Sequence, residues 1–379
     1  MVIPSLSKTD DLIAHLQERI STGAYPPGAA LPSERDLTLA FCVSRVTVRN
    51  AIERLSAARL VERIPGKGTY VLTPDSPQPP AADRVATSGT IALVCSQGAP
   101  SVASPVASGC SAAALAHRAP LLLCDTNGAT FAEAHAREAL HLREALRQGV
   151  SGIVIWWQGG DASRPLLERA AAEGCAVVML DRCVEGLDAD FVGIDDEAAG
   201  YMATAHLVRS GRRRIGCVVN SLKVSTSADR LAGYRRALAE HGLPVDDRLV
   251  VVVDEGAADV GALAAERFAD LQPPPDGAVA VNDYIAMDVI EALERHRLHT
   301  PDDVAVVSFA DMEFAGHYRV PLTTVRQPFR SLGETAIHLI HERLETGRTT
   351  PRRVLLPTEL VIRRSCGHER PRQGNETVP

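Results

Sequence analysis

The chain has 379 residues, 45% of them hydrophobic and 23% charged, the balance of an ordinary globular protein with room for two or three domains. Its formal net charge of -7 is uneven: residues 1–73 carry +2, the remainder carries -9, and within 35–70 there are 7 basic residues against 3 acidic ones. A basic spot on an acidic chain points to a local anionic partner. The N-terminus lacks a charged-then-apolar leader, and the longest charge-free stretch, 85–117, is broken by Gly, Pro and Ser, which excludes a membrane helix. Eight cysteines are scattered without a C-x-x-C pair, so they read as buried small apolar groups of a cytoplasmic protein with no membrane partner.

In chain order, the periodicity predicts a helix over 5–23, with Leu12, Ile13, Leu16 and Ile20 on one face, ended by PPG at 26–28. A second helix is expected from about Ser33 to Phe41. A third, from Ser44 to about Ala57, buries Val48, Ala51, Ile52 and Leu55 and turns Arg45, Thr47, Arg49, Asn50 and Arg54 outward. LVERI (60–64), PGKG (65–68) and TYVL (69–72) then read as a hairpin, and the Pro- and Ala-rich run 74–89 as an exposed linker.

From Thr90 the pattern changes. Near-continuous apolar runs at 90–95, 120–125, 152–157, 176–181, 214–219, 249–254, 278–283 and 304–309 alternate with helical segments. That alternation predicts parallel sheets covered on both faces, and the length requires two doubly wound lobes. Residues 367–379 read as a polar tail. The fold class expected is therefore α/β, with an N-terminal winged helix-turn-helix and a two-lobed, doubly wound parallel-sheet domain. The domains are expected at 1–73, 74–89 (linker), 90–366 and 367–379.

The first module carries a nucleic-acid signal. Ser44 can cap the third helix, and Arg45 and Arg49, four apart, place two guanidinium forks on one face. A duplex major groove admits one α-helix, whose first turns meet the base edges. Thr47 suits a phosphate or a thymine methyl, and Gly66, Lys67 and Gly68 join a compact backbone to one cation. Each feature has a plainer reading, a solvated helix face or a tight turn; the hairpin directly after the helix favours the DNA reading. The ordered run LPSERDLTLAF, CVSRVTVRNAI, ERL and GKGTYV resembles the winged-helix domain of the GntR family of bacterial transcription regulators over roughly residues 5–72. That resemblance implies DNA contacts at Arg35, Ser44, Arg45, Thr47, Arg49 and Gly66, with Lys67 and Gly68 beside it in the wing. The sequence departs from the family at Cys42, where Gly is common, and at Ala58–Arg59.

In the second module, polar residues close the strands: Asp125, Thr126 and Asn127; Asp181 and Arg182; Asn220; Asp254; Asn282 and Asp283; Asp311. Ligands of doubly wound sheets bind outside those ends, although such residues are as often helix caps. Trp156 and Trp157, the two tryptophans, offer either an aromatic face for a sugar ring or a core pair. The motifs QGVSGIVI, AVVMLDR, VGIDDEAAGYMATAHLVRSGRRRIG, ADRLAGYRRAL, AVNDYIAMDVIEAL, VPLTTVRQPFRSLGETA and LPTELVIRRS resemble the effector domain of the LacI/GalR repressors, which shares its fold with periplasmic sugar-binding proteins. The resemblance implies effector contacts at Asp181, Thr226, Arg230, Asp283 and Gln327. Arg230 and Asp283 suit vicinal hydroxyls best, with an interlobe salt bridge as their alternative reading. SFAD departs from the family at Asp311. Val224 replaces a polar residue of nucleobase-binding members, which favours a sugar.

The combined resemblance implies a homodimeric repressor of double-stranded operator DNA, controlled by a sugar-like effector; the alternative is a DNA-binding regulator whose large domain only dimerises or binds a nucleoside-like ligand. The linker replaces the hinge helix of LacI-type repressors. As a coil of this length it spans ~20–24 Å, so two of them accommodate half-sites about 34 Å apart. An enzyme is not expected, nor a cofactor or metal. The three lysines, Lys8, Lys67 and Lys223, leave one candidate for Schiff-base chemistry in the large module. A phosphate-binding G-x-x-x-x-G-K-[ST] run and a G-x-S-x-G elbow are both missing. H-x-x-H at 296–299 and 338–341 reads as surface histidines.

Overall fold

The computed structural model describes residues 8–22, 24–26, 28–41, 43–57, 60–64, 68–71, 89–184, 186–222, 224–253 and 259–367. The chain divides into two compact units, Met1–Val85 and Ala86–Pro379, each with its own core. The linker expected at 74–89 lies outside the described residues except for Gly89, as do Cys42, Ala58, Arg59, Lys223, Asp254 and the tail beyond Gly367.

The first unit contains α1 (Lys8–Ser21), α2 (Glu34–Phe41) and α3 (Arg45–Ala57), then β1 (Val61–Ile64) and β2 (Gly68–Val71). The apolar stripes predicted for α1 and α3 meet: Leu12, Leu16, Val48, Ala51 and Leu55 are fully buried and pack with Leu37, Val61 and Val71. Serines start both helices of the central pair. Ser33 Oγ accepts from Asp36 N at 3.2 Å, and Ser44 Oγ accepts from Thr47 N at 3.1 Å, each satisfying a backbone donor that the helix leaves free. Strands β1 and β2 pair antiparallel from Val61↔Val71 to Ile64↔Gly68. Residues 28–31 add a third edge through Val71 N to Ala29 O (2.9 Å) and Leu31 N to Thr69 O (2.7 Å).

The second unit begins with β3 (Ile91–Cys95), α4 (Pro100–Ala116), β4 (Leu121–Asp125), α5 (Phe131–Gln148), β5 (Gly152–Ile155), α6 (Arg164–Ala172), β6 (Ala176–Leu180) and β7 (Asp190–Ile194). The chain crosses through α7 (Asp196–Arg209) to β8 (Ile215–Asn220), α8 (Ser225–Glu240), β9 (Val250–Val253), α9 (Val260–Ala269), β10 (Gly277–Ala280), α10 (Asp283–Arg295), β11 (Ala305–Ala310) and β12 (Thr323–Arg326). It returns through α11 (Phe329–Thr346) to β13 (Arg353–Leu356) and crosses a third time to β14 (Glu359–Val361). Two six-stranded sheets result, ordered β4-β3-β5-β6-β7-β13 and β9-β8-β10-β11-β12-β14. Among the described strands every pairing in both sheets is parallel except β12 with β14. This is the α/β class expected.

The apolar runs are continuous because both faces are covered. In β3, Ile91 and Leu93 face one core with α4 and α11, while Ala92 and Val94 face the other with α5 and α6. The strands that periodicity did not single out, β7, β12, β13 and β14, are short or interrupted by polar residues. Asp190, fully buried at the start of β7, binds Arg348 through both carboxylate oxygens (2.9 and 2.8 Å) and accepts from Arg352 N (2.7 Å), which ties β7 to β13. Six of the described cysteines are buried and Cys183 is half-buried; all are free. No described helix is long and apolar enough to cross a membrane.

Each lobe is welded to a crossing helix by reciprocal glycines. A Cβ at Gly109 of α4 would lie 2.0 Å from Arg330 O, and one at Gly333 of α11 would lie 2.3 Å from Val106 O. On the other lobe a Cβ at Gly200 of α7 would lie 2.2 Å from Arg230 O, and one at Gly233 of α8 would lie 2.0 Å from Glu197 O. Backbones this close leave no room for any side chain.

Candidate functional site

In the first unit, Ser44, Thr47 and Arg49 stand together at the start of α3. Ser44 Oγ shares a hydrogen bond with Thr47 Oγ1 at 2.9 Å besides capping the helix. Arg49 is exposed, and its Nε donates to Glu34 Oε2 of α2 at 3.2 Å. Glu34 was not among the expected contacts; the SER at 33–35 that carries it signals a helix start and gives no hint of an ion pair with α3. Arg35 and Arg45 lie within α2 and α3, and their side chains are outside the described residues, as are Gly66 and Lys67. Gly68 opens β2 with φ 125°, a conformation that calls for glycine.

In the second unit a cavity of about 610 Å³ lies between the carboxyl ends of the two sheets. From the first sheet it is lined by Ser96 and Gly98 after β3, Asn127 after β4, Trp156 and Gln158 after β5, and Asp181 and Arg182 after β6. From the second sheet come Asn220, Thr226, Ser227 and Arg230 around β8 and α8, Asn282 after β10 and Met312 after β11. Gln327 and Phe329 line it from the crossing segment between β12 and α11. Asp181 takes up φ 64°, which brings its carboxylate to 3.2 Å from Gln327 Nε2. The two tryptophans split: Trp156 lines the cavity, 6.0 Å from the Phe329 ring, and Trp157 packs into the α5–α6 core. Neighbouring residues of an extended chain point to opposite sides, so one ring faces the cavity and the other the core.

Of the predicted effector residues the structure brings Asp181, Thr226, Arg230 and Gln327 to the cavity and leaves Asp283 behind it. Asp283 is fully buried at the start of α10. Its carboxylate accepts from Ser308 Oγ (2.5 Å), Thr324 Oγ1 (2.8 Å) and Met312 N (2.7 Å), so it braces the ends of β11 and β12. Burial raises its carboxyl above the usual range, and these three hydrogen bonds pull it back. Asp311 is likewise engaged elsewhere, 2.6 Å from Arg326 Nε and 2.7 Å from Arg363 Nη1. Asp125 accepts from Gln97 N and Asn127 N, both at 2.9 Å, and shapes the turn behind Asn127.

Arg230 has a different partner from the one expected. Its Nε and Nη2 both lie 2.7 Å from Asp196 Oδ1, its Nη1 donates to Val281 O at 2.6 Å, and its plane sits 4.6 Å over the Phe309 ring. The glycine-tight approach of α7 to α8 is what places Asp196, at the first turn of α7, against Arg230. Asp196 is buried, and burial together with the Asp181 carboxylate pushes it up to about 7 despite Arg230. The motif VGIDDEAAGYM carries Asp196 in plain sight, but one of two adjacent aspartates reads as a helix cap, a role that Asp195 fills by accepting from Ala198 N at 2.8 Å.

Comparison with known proteins agrees with both halves. Residues 8–71 match the family of bacterial regulatory proteins of the gntR type, and residues 204–366 match the periplasmic binding protein-like domain. The HTH-type transcriptional repressor PurR of Photobacterium profundum is 30% identical over 249 residues, 65% of this chain and 71% of that protein. The arabinose metabolism transcriptional repressor of Geobacillus stearothermophilus is 28% identical over 356 residues, 91% of this chain and 94% of that protein. Among solved structures, a putative LacI-family transcriptional regulator from Sanguibacter keddieii superimposes with a TM-score of 0.62 at 28% identity, covering 74% of this chain and 99% of its own. The chain thus belongs to the DNA-binding transcription regulators that join a GntR-type winged helix to a LacI/GalR-type, periplasmic-binding-protein-like effector domain.

Proposed function

We propose that the protein is a homodimeric repressor whose operator affinity is set by a sugar-like effector held between the two lobes of its large unit. One observation carries this reading: a cavity at the carboxyl ends of both sheets gathers Asn127, Asn220, Gln327, Thr226, Asp181 and Arg230 around the Trp156 face. Planar amides, a carboxylate and a guanidinium each take hydroxyl pairs, and an aromatic face takes the apolar side of a sugar ring. Operator contact is assigned to Arg35, Ser44, Arg45, Thr47 and Arg49, with Gly66, Lys67 and Gly68 in the wing. Effector contact is assigned to Asp181, Thr226, Arg230 and Gln327, with Asp283 holding the strand ends behind them.

Effector binding closes the lobes and changes the spacing of the two winged helices of a dimer. A 100-fold change in operator affinity needs about 2.7 kcal/mol of differential effector binding between the two states. Electrophoretic titration of the promoter region, with and without a panel of sugars, sugar derivatives and nucleosides, tests the proposal. A sugar that shifts the DNA midpoint supports it. A nucleoside that does so instead moves the effector class, and no response to any of them removes the switch.

A further inference from the structure

Among the charged groups that line the cavity, Arg230 is the buried cation, with 7% of its side chain exposed. A guanidinium in such a place is ordinarily an anchor for a carboxylate or phosphate, because its fork matches their geometry in two parallel hydrogen bonds. Here the protein supplies that anion itself. Asp196 sits 2.7 Å behind Arg230 on the side of α7, and the Val281 carbonyl takes one further donor. Two of the five guanidinium N–H groups remain for a ligand, but the positive charge is already answered. Asp181 and Arg182 complete the charged lining, and with Asp196 ionised behind it, as at pH 8, these two carboxylates and two guanidiniums carry no net charge.

Accepting the reading of this cavity as the effector site, we infer that Asp196 is its specificity-determining residue: by neutralising Arg230 from behind, it reserves the cavity for uncharged polyhydroxylated effectors and excludes phosphorylated or carboxylated ones. An anion entering the cavity meets a guanidinium with a carboxylate at 2.7 Å on its far side, and a neighbouring opposite charge at that range cancels most of the attraction. A hydroxyl pair needs the two free N–H groups alone and loses nothing. The discrimination comes from a repulsive element built into the site.

The test uses anions as probes, so it does not depend on knowing the effector. Sulfate and D-gluconate, both fully ionised between pH 5.5 and 8, are titrated calorimetrically into the full chain at constant ionic strength, without DNA. At pH 8 the wild type should bind neither saturably at millimolar concentration. Asp196→Asn, which keeps an oxygen for Arg230 and removes the charge, should bind both at least tenfold more tightly. The double variant Asp196→Asn with Arg230→Gln should lose that gain, which separates the cavity from the basic winged helix as the place of binding. A second arm needs no variant. The charged groups acting on Asp196 are Arg230 and Asp229 of α8 and Asp181 at the end of β6, and they leave it near 7. The wild type should therefore acquire anion binding at pH 5.5. Equal anion affinity in wild type and Asp196→Asn, or retention of the gain in the double variant, overturns the inference. A failed DNA response to sugars would instead overturn the effector proposal and leave this result standing.

Discussion

Two arginines, one in each unit, have a carboxylate partner of very different standing. Arg49 lies on an exposed helix face, its Nε 3.2 Å from Glu34, with 59% of its side chain open to solvent. Arg230 lies in the wall of a cavity, 2.7 Å from Asp196, with 7% open. The first pair sits in high dielectric, where such contacts are worth about 0–1 kcal/mol, so a phosphate or base edge can take the guanidinium over at little cost. The second is almost wholly withdrawn from water, and removing either side chain strands the other. One arginine is placed for exchange of partners, the other for permanence.

The comparison is broken most directly at the buried pair. Arg230→Ala leaves Asp196 without its cation and opens space over the Phe309 ring; we expect about 3–5 kcal/mol of lost stability in urea denaturation. A loss below about 1 kcal/mol, the range of an exposed pair, would mean that the pair is dispensable. Next in size, Arg45→Ala together with Arg49→Ala should leave denaturation unchanged and weaken operator binding by about 2 kcal/mol or more, roughly thirtyfold, with a shallower salt dependence. Undiminished operator affinity in a folded double variant would sink the recognition role of α3.

The frame that holds Arg230 is tested at Gly233, where a Cβ would lie 2.0 Å from Glu197 O. Gly233→Ala should cost about 1–3 kcal/mol and lower the melting temperature, whereas Gly149→Ala, with nothing within 4 Å but φ 67°, should be strained without separating two helices. The pH profile sharpens the contrast further. Asp196 holds its proton more tightly when folded, near 7, than at the unfolded value of 3.8. Its contribution to stability is therefore fully present below pH 3.8 and lost as the pH climbs through 7. The melting-temperature difference between wild type and Asp196→Asn should change between pH 5.5 and 8; a flat difference would refute the raised value. Smallest of all, Glu34→Gln should change stability by about 0.5 kcal/mol or less, read by the same denaturation curves, and should not weaken operator binding.

Much of this architecture was legible in the residues. The stripe Leu12, Leu16, Val48, Ala51 and Leu55 predicted the core of the first unit, and the serines at 33 and 44 marked both helix starts. The strands whose two faces are both covered announced themselves as unbroken apolar runs. Strands such as β13 and β7 did not, since β13 is half exposed and β7 begins on a buried aspartate that is stable there only by meeting Arg348 from far along the chain. The site was legible in part. Strand-end polar residues were expected to gather, and several do, yet Asp283 and Asp311 turned inward to brace strand ends and the exposed Asp125 holds a turn, while Asp196, Gln158 and Phe329 took positions that no local pattern marks.

The elements, their order and the joining of a small helical unit to a two-lobed sheet domain could be read along the chain, because periodicity, caps and turn residues act over a few neighbours. Which carboxylate answers which arginine was settled in three dimensions alone. That choice rests on the direction a side chain leaves its strand end and on how closely two helices approach, as where Gly200 and Gly233 let α7 lie against α8, and both are properties of distant segments brought together.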